Sequence, residues 1–288
     1  MTPSQGKIVF ALGGLFLLLL LAEALYPLRA RKRRIVPRLL INFCLAACAF
    51  AIAAVLVKPV ALSLAAWTSM RSFGLLHLMG LPLAARFGLG FLLMDLTFYY
   101  WHRANHRIPV LWRFHNVHHI DPDLDVSTAF RFHVGEVLFS VAFRVVQIGL
   151  LGVSPLTYVI YESVFQGSTF FHHSNVRLPL RVERLLNIIL VTPRMHGIHH
   201  SVIEPETNSN YGVVFSWWDL LHRSLRRNIP QAALVIGVPA YLESADNTLW
   251  HTLTLPFRKQ HDYWSWPDGT RPTRAAPQTG EDRSQPLV

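Results

Sequence analysis

The chain has little charge and few cysteines. Only 15% of its 288 residues are charged and 51% are hydrophobic, whereas an ordinary soluble domain carries about 25% charged residues. This composition favours a membrane-embedded protein. The two cysteines, Cys44 and Cys48, lie four residues apart in an apolar run, so they cannot pair within a regular helix. The lack of clustered cysteines argues against an iron–sulfur or structural zinc site.

The positive charge is concentrated beside an apolar run. The net charge is +10, and a basic cluster follows the first hydrophobic stretch: Arg29, Arg31, Lys32, Arg33, Arg34 and Arg38. Such clusters fix membrane topology and contact anionic lipid headgroups. The sequence therefore predicts that the loop containing them is cytoplasmic, and it predicts no nucleic-acid partner.

Long apolar runs predict about four transmembrane helices. The predicted segments are a retained first span at 7–28, a second span at 39–57 ending at Lys58 and Pro59, an interfacial or re-entrant piece at 60–83, a third span at 87–101, and a helical hairpin at 136–171. The third span runs directly into His102. We therefore expect the histidine-rich sequence to begin where a helix leaves the membrane.

Eleven of the 15 histidines lie between residues 102 and 200, mostly at helical spacings. His102/His106, His115/His118/His119 and His196/His199/His200 are spaced so that each set shares a helix face. Buried polar groups without partners cost about 1–3 kcal/mol each, so packing alone explains them poorly. One octahedral metal takes six ligands, whereas these sets with His133 and one of His172/His173 offer nine or ten. Two metals fit better than one, and imidazole suits iron, zinc, copper or nickel.

The stretch from Asp95 to Gly212 resembles the fatty acid hydroxylase/sterol desaturase superfamily of membrane diiron oxygenases. The resemblance is carried by His-Arg-x-x-His at 102–106, Leu-Trp-x-Phe-His-x-x-His-His at 111–119, Thr-Ala-Phe-Arg-Phe-His at 128–133, His-Ser-Asn at 173–175, Pro-Arg-Met-His-x-x-His-His-Ser at 193–201 and Asn-Tyr-Gly at 210–212. Two positions depart from the family pattern. Val134 follows His133 where the family has proline, and His222-Arg223-Ser224 replaces Phe-Gly-Thr.

The resemblance implies an all-α integral membrane protein whose cytoplasmic, histidine-rich helical cap holds a dimetal site. Its cofactors would be two iron ions, with zinc as a substitute, and O2 would be the co-substrate. A fatty acyl or sterol-like lipid would enter from the bilayer and be hydroxylated or desaturated. The chain contains no haem or flavin motif, so a separate cytochrome, ferredoxin or reductase would supply electrons.

The resemblance also implies a set of metal ligands. These are His102, His106, His115, His118, His119, His133, His173, His196, His199 and His200. His172 and His173 are adjacent, so the motif alone leaves open which of them is the ligand. His173 is favoured because Asn175 follows it at the family spacing. Candidates for orienting the imidazoles from a second layer are Asp95, Glu136, Asn175 and Asn210. We expect His77, His222, His251 and His261 to lie outside the site.

The predicted organisation has four parts. These are N-terminal spans and an interfacial segment at 1–86, a catalytic domain at 87–224, a C-terminal cytoplasmic segment at 225–266, and a disordered tail at 267–288. Two other functions remain open on the residues alone. A zinc-dependent membrane hydrolase would need a nearby catalytic glutamate, and His-Glu-x-x-His is absent. A metal transport or storage protein would place its histidines along the spans.

Overall fold

The computed structural model describes residues 3–274, and its regular secondary structure is helical. Within this range there are isolated β-bridges and no strand, which confirms the all-α prediction. The helices are α1 (Pro3–Leu25), α2 (Ile35–Ile52), α3 (Lys58–Met70), α4 (Leu75–Leu78), α5 (Leu83–Arg107), α6 (Pro109–His119), α7 (Val134–Leu151), α8 (Pro155–His173), α9 (Leu180–Leu186), α10 (Pro193–His199), α11 (Glu204–Thr207), α12 (Trp217–Leu221) and α13 (Leu249–Thr254).

Three helical segments are long and apolar enough to cross a bilayer. They comprise residues 6–25 in α1, 35–78 from α2 to α4, and 134–151 in α7. Large apolar side chains on them are exposed, for example Phe10 at 83% and Leu78 at 82%. Such surfaces fit contact with lipid chains rather than water. The chain is therefore an integral membrane protein. Helix α5, in which the sequence predicts a third span, is not among these three segments.

The second apolar helix does not end at Lys58 and Pro59, so that prediction is wrong. The chain stays helical from Ile35 to Met70, with a π-helical turn at Ala53–Val57 joining α2 to α3. The backbone N–H of Lys58 bonds to the carbonyl of Ala53, five residues earlier. Proline has no N–H and crowds the preceding turn of a helix. The wider π turn lies directly before Pro59 and accommodates it without breaking the helix.

Helices α7 and α8 form the hairpin that the sequence predicts between residues 136 and 171. The turn contains Gly152, whose φ of +71° lies in the left-handed region. A Cβ atom there would lie 2.3 Å from the carbonyl oxygen of Phe73, so glycine is required by both conformation and space. The hairpin packs against α3 and α5 through a buried apolar cluster that includes Ala65, Met94 and Ile148. This packing directs the end of α8 towards the end of α5.

A buried ion pair network joins the start of α2 to the loop after α6. Arg38 is 5% exposed, and its Nε donates to Oδ1 of Asp121 at 2.7 Å. Its guanidinium also contacts Asp125 and donates to Thr128 Oγ1 at 3.1 Å. The backbone N–H of Lys32 donates to Asp123 at 2.8 Å. These bonds fasten the basic α1–α2 loop to the chain just beyond His119.

The C-terminal segment covers the outer side of α6. Val238, Tyr241 and Leu255 pack with Trp112 and Val117 in one buried cluster. The first part of the tail predicted to be disordered is in contact with the protein, because Arg274 donates two hydrogen bonds to Glu206 at 2.8 and 2.7 Å. The rest of that predicted tail, residues 275–288, lies outside the described residues.

Candidate metal centre

The clustered histidines converge from the ends of four helices. Helix α5 ends with His102 and His106, α6 with His115, His118 and His119, and α8 with His172 and His173. Helix α10 and its C-cap supply His196, His199 and His200. Each set occupies one or two helical turns, as its spacing predicts. Nine of these side chains form two adjacent groups.

The five-histidine group consists of His102, His106, His115, His119 and His199. One ring nitrogen from each lies within 4.8 Å of all the others. Nδ1 of His102 donates to the carbonyl of Tyr211 at 2.8 Å, and Nδ1 of His199 donates to the carbonyl of Ser209 at 2.7 Å. Because a carbonyl only accepts, these bonds place the ring proton on Nδ1. The lone pair of Nε2 is then free to bind a metal.

The four-histidine group consists of His118, His173, His196 and His200. Nε2 of His173 lies 3.0 Å from Nε2 of both His118 and His196, and Nε2 of His196 lies 3.1 Å from that of His200. Two cis ligands about 2.1 Å from one metal are separated by about 3.0 Å. Nδ1 of His173 donates to the carbonyl of Thr169 at 2.8 Å, which leaves its Nε2 as a lone pair.

The two groups are in direct contact. The rings of His119 and His200 stack with centroids 4.3 Å apart, and those of His118 and His119 lie 5.3 Å apart. Residues adjacent on α6 therefore serve different groups. This arrangement places two candidate metal sites side by side, one with five and one with four available imidazoles.

Unsatisfied ring nitrogens show that the groups suit cations. Among residues 3–274, both nitrogens of His106 and His119, and Nε2 of His115 and His199, are buried without a hydrogen-bond partner. Burial, together with the neighbouring imidazoles, lowers the pKa of His119 and His199 well below the ordinary value. These two rings are therefore neutral at physiological pH and present lone pairs. Buried lone pairs facing one another repel, whereas a metal ion between them satisfies several at once.

Two further histidines lie outside both groups. Nδ1 of His133 accepts from the backbone N–H of Gly135 at 2.9 Å, and its Nε2 donates to the carbonyl of Leu253 at 3.1 Å. This side chain, which the family pattern suggests as a ligand, caps α7 and has no nitrogen left for a metal. His172 bonds through Nδ1 to the carbonyl of Val213 at 3.2 Å. The structure thus brings His173, rather than His172, into the four-histidine group.

Of the four predicted second-layer residues, Glu136 touches a clustered histidine. Its Oε1 accepts from Nδ1 of His115 at 2.9 Å. Asp95 instead accepts from the backbone N–H of Phe215 and the indole of Trp218. Asn175 bonds to the backbone of Arg29, and Asn210 to the backbone of Arg226. These three therefore hold surrounding loops in place without touching the imidazoles directly.

Asp219 has a structural role that the sequence analysis missed. Its carboxylate accepts from the backbone N–H groups of Tyr211 and Gly212 at 2.9 and 2.8 Å. It fixes the loop whose carbonyl orients His102. Burial raises the pKa of Asp219 to about 6. A Cβ atom on Gly212 would lie 2.9 Å from Oδ2 of Asp219, so this close contact requires glycine. In the sequence, the short spacing between Asn-Tyr-Gly at 210–212 and Trp218-Asp219 is the feature that reflects this role of Asp219. That spacing can be interpreted only once the loop is folded.

Aromatic rings separate the centre from its surroundings. The indole of Trp112 lies 4.9 Å from His106 and stacks on Trp264 of the C-terminal segment at 5.6 Å. Phe132 stacks on His118 at 4.7 Å. Below Phe132, a cavity of about 200 Å³ opens between α2, α5, α7 and α8, and its lining includes Glu136 and Thr169. The cavity therefore reaches residues that orient one histidine of each group.

Comparison with protein families agrees with this geometry. The fatty acid hydroxylase family model matches residues 87–224, which contain both histidine groups and the α7–α8 hairpin. Residues 87–224 belong to the fatty acid hydroxylase family. The resemblance seen in the histidine motifs is thereby confirmed. No solved structure matches the chain.

Curated relatives of this fatty acid hydroxylase segment act on different lipids. Ornithine lipid hydroxylase OlsE of Rhizobium tropici is 34% identical over 140 residues, which is 49% of this chain and 41% of that protein. Human cholesterol 25-hydroxylase is 29% identical over 138 residues, covering 47% and 49% of the two chains. Human alkylglycerol monooxygenase is 30% identical over 131 residues, covering 45% and 28%. The matched region thus spans about half or less of each relative.

Proposed function

We propose that this protein is a membrane-bound lipid oxygenase that uses two iron ions, O2 and electrons from a separate donor protein. The observation that carries the proposal is the pair of adjacent histidine groups within the fatty acid hydroxylase segment. Nine nitrogen ligands exceed what one octahedral ion takes, so the groups fit two ions. The names of the relatives support a lipid as the substrate and hydroxylation as the reaction.

The residues of the centre would hold and orient two redox-active metals. Iron supplies the power to activate O2 and oxidise an unactivated C–H bond, which side chains alone lack. Glu136 and the carbonyls of Thr169, Ser209 and Tyr211 fix the imidazoles through their Nδ1–H groups. Trp112 and Phe132 exclude water on two sides. The substrate would enter through the cavity at Phe132.

We place the centre on the cytoplasmic face of the membrane. The basic α1–α2 loop contacts the chain after α6 through Asp123, which accepts from the backbone N–H groups of Lys32 and Arg33 at 2.8 Å each. Loops rich in lysine and arginine remain on the cytoplasmic side. Because this loop and the histidines share one end of the helices, the positive-inside rule supports the same side for the metal centre. A cytoplasmic donor could then deliver electrons to it.

The test combines metal analysis with turnover. Protein purified in lipid nanodiscs should contain two iron atoms per chain and consume O2 when a reductant is added. Lipid extracts from cells with and without the protein should differ by a species that gains one oxygen atom or loses two hydrogen atoms. His118→Ala should abolish O2 consumption and the lipid product, whereas His251→Ala, outside both groups, should retain them. Fully active protein containing only zinc would exclude the oxygenase and favour a hydrolase.

A further inference from the structure

The cavity below Phe132 has one polar wall, formed by residues of α7, which is a candidate span, and of α8. On α7, the lining residues Glu136, Ser140 and Arg144 are spaced four apart and share a helix face. On α8, Glu162, Gln166 and Thr169 are spaced four and three apart and also share a face. The rest of the lining is apolar and includes Phe50, Val57, Phe98 and Phe130. A wholly hydrocarbon ligand would not need the polar wall.

This polar wall contains an ion pair. Arg144 lies in the middle of the candidate span 134–151, where its guanidinium contacts Glu162 and donates to Oε1 of Gln147 at 2.6 Å. The Arg144 side chain is 6% exposed and packs over the rings of Phe98 and Tyr161. The Glu162 side chain is 34% exposed. Charged groups at this depth are costly and commonly functional.

Two polar groups at the cavity keep unused hydrogen-bonding capacity. Oε1 of Glu162 accepts from Arg144, while Oε2 accepts no hydrogen bond from residues 3–274. Gln166 lies one turn further along α8 and lines the cavity. Its side-chain amide also makes no hydrogen bond with residues 3–274. Without water to satisfy them, such groups cost free energy in an apolar environment. An acceptor and an amide on one helix face match a ligand group that both donates and accepts.

We propose that Glu162 and Gln166 bind a hydroxyl group of the lipid substrate, with Arg144 positioning the carboxylate. The hydroxyl donates to Glu162 and accepts from the amide N–H of Gln166. A free carboxylate on the ligand is disfavoured, since Arg144 is already neutralised by Glu162 and the second Glu162 oxygen would repel it. The inference rests on the proposed lipid oxygenase function and adds the polar group by which the substrate is recognised.

The position of this subsite also limits which carbon reacts. Arg144 follows Glu136 by eight residues of α7, a rise of about 12 Å, and Glu136 bonds to His115 of the five-histidine group. A lipid hydroxyl held at Glu162 therefore lies roughly that far from the metal centre. The oxidised carbon is separated from the hydroxyl by a long hydrocarbon segment, so the product carries two remote oxygen functions or a remote double bond.

A photolabelling experiment tests the subsite without turnover. Hexadecanol with a diazirine at its chain end, and the methyl ether of the same probe, are cross-linked to metal-loaded protein in nanodiscs without reductant. Labelled cavity residues are quantified by peptide mass spectrometry. The ether cannot donate a hydrogen bond, so the alcohol should label about tenfold more efficiently. Glu162→Gln should reduce this ratio severalfold towards one, because a neutral amide is a weaker acceptor than a carboxylate. Gln166→Leu removes an N–H that the oxygen of either probe can accept, so it should weaken labelling by both probes. Ser163→Ala is the matched control, because Ser163 bonds to the carbonyl of Val159 in its own helix.

Unchanged labelling by the ether in Glu162→Gln shows that the cavity is intact. Equal labelling by alcohol and ether in the wild-type protein, no labelling of the cavity by either probe, an alcohol-to-ether ratio retained in Glu162→Gln, or alcohol labelling unchanged in Gln166→Leu would overturn the proposal. These measurements need no catalysis. An alcohol preference that depends on Glu162, in a protein that oxidises no lipid, would support the hydroxyl subsite while refuting the oxygenase function.

Discussion

Replacing Glu136 by glutamine should weaken metal binding in the five-histidine group and spare the four-histidine group. Glu136 accepts a hydrogen bond of 2.9 Å from Nδ1 of His115, and its side chain is only 9% exposed. A hydrogen bond to a charged group contributes about 1.5–3 kcal/mol, against about 0.5–1.5 kcal/mol for a neutral pair. The expected cost is about 1–1.5 kcal/mol, which is roughly a tenfold loss in metal affinity. This lies at the lower end of the losses of about 10- to 100-fold for such partners.

The assay is a chelator titration of metal-loaded protein, with bound metal measured by elemental analysis. In Glu136→Gln, one metal should leave at about tenfold lower chelator concentration, and the other should leave as in the wild type. Glu136→Ala should shift the first step further because it removes the acceptor entirely. Ser140→Ala is the control, since Ser140 bonds to the carbonyl of Val137 in its own helix. Identical release of both metals from the wild type and Glu136→Gln would refute the orienting role of this bond.

Other perturbations follow from the same structure. His199→Ala should lose one metal of the two and all activity, whereas His133→Ala should retain both metals because its nitrogens already bond to the backbone; elemental analysis distinguishes the two results. Metal-free protein should lose stability as the pH falls below about 6.5, because burial lowers the pKa of His119 and His199 and the unfolded chain then binds more protons. A thermal unfolding midpoint that rises on acidification would contradict the predicted loss of stability. Arg38→Ala leaves buried Asp121 unpaired and should lower the free energy of unfolding by about 3–5 kcal/mol; a chemical denaturation shift equivalent to less than about 1 kcal/mol would show that the pair is unimportant.

The convergence of histidines could be predicted because helical geometry is local. Spacings of three and four residues fix which side chains share a face, and this holds for His115 and His119 in one group and for His196 and His200 in the other. The hairpin at 136–171 was similarly predictable from apolar length and from the break around Gly152. In each case the sequence pattern behind the prediction lies within one helix or one helical hairpin.

The remaining features depend on contacts between distant segments. His133 matches a family motif, but its nitrogens are used by Gly135 and by Leu253, 120 residues away. Asp95 and Asn210 were expected beside the imidazoles, yet they hold loops instead. A carboxylate or amide bonds equally well to a backbone N–H or an imidazole, so sequence position alone does not decide its partner. The π turn before Pro59 is another case, because proline usually indicates a helix end.

The histidines of the centre come from the ends of four helices, and this affects how the protein folds during synthesis. Its candidate ligands span residues 102–200, so the first imidazoles are synthesised about a hundred residues before the last. Joining such distant segments has an entropic cost that grows with loop length. Each bound ion would cross-link helices whose imidazole lone pairs repel one another when no ion lies between them. On the proposed diiron function, iron supply during biosynthesis should set the amount of folded protein. Iron-starved cells would then lose the polypeptide itself to proteolysis, in addition to its turnover.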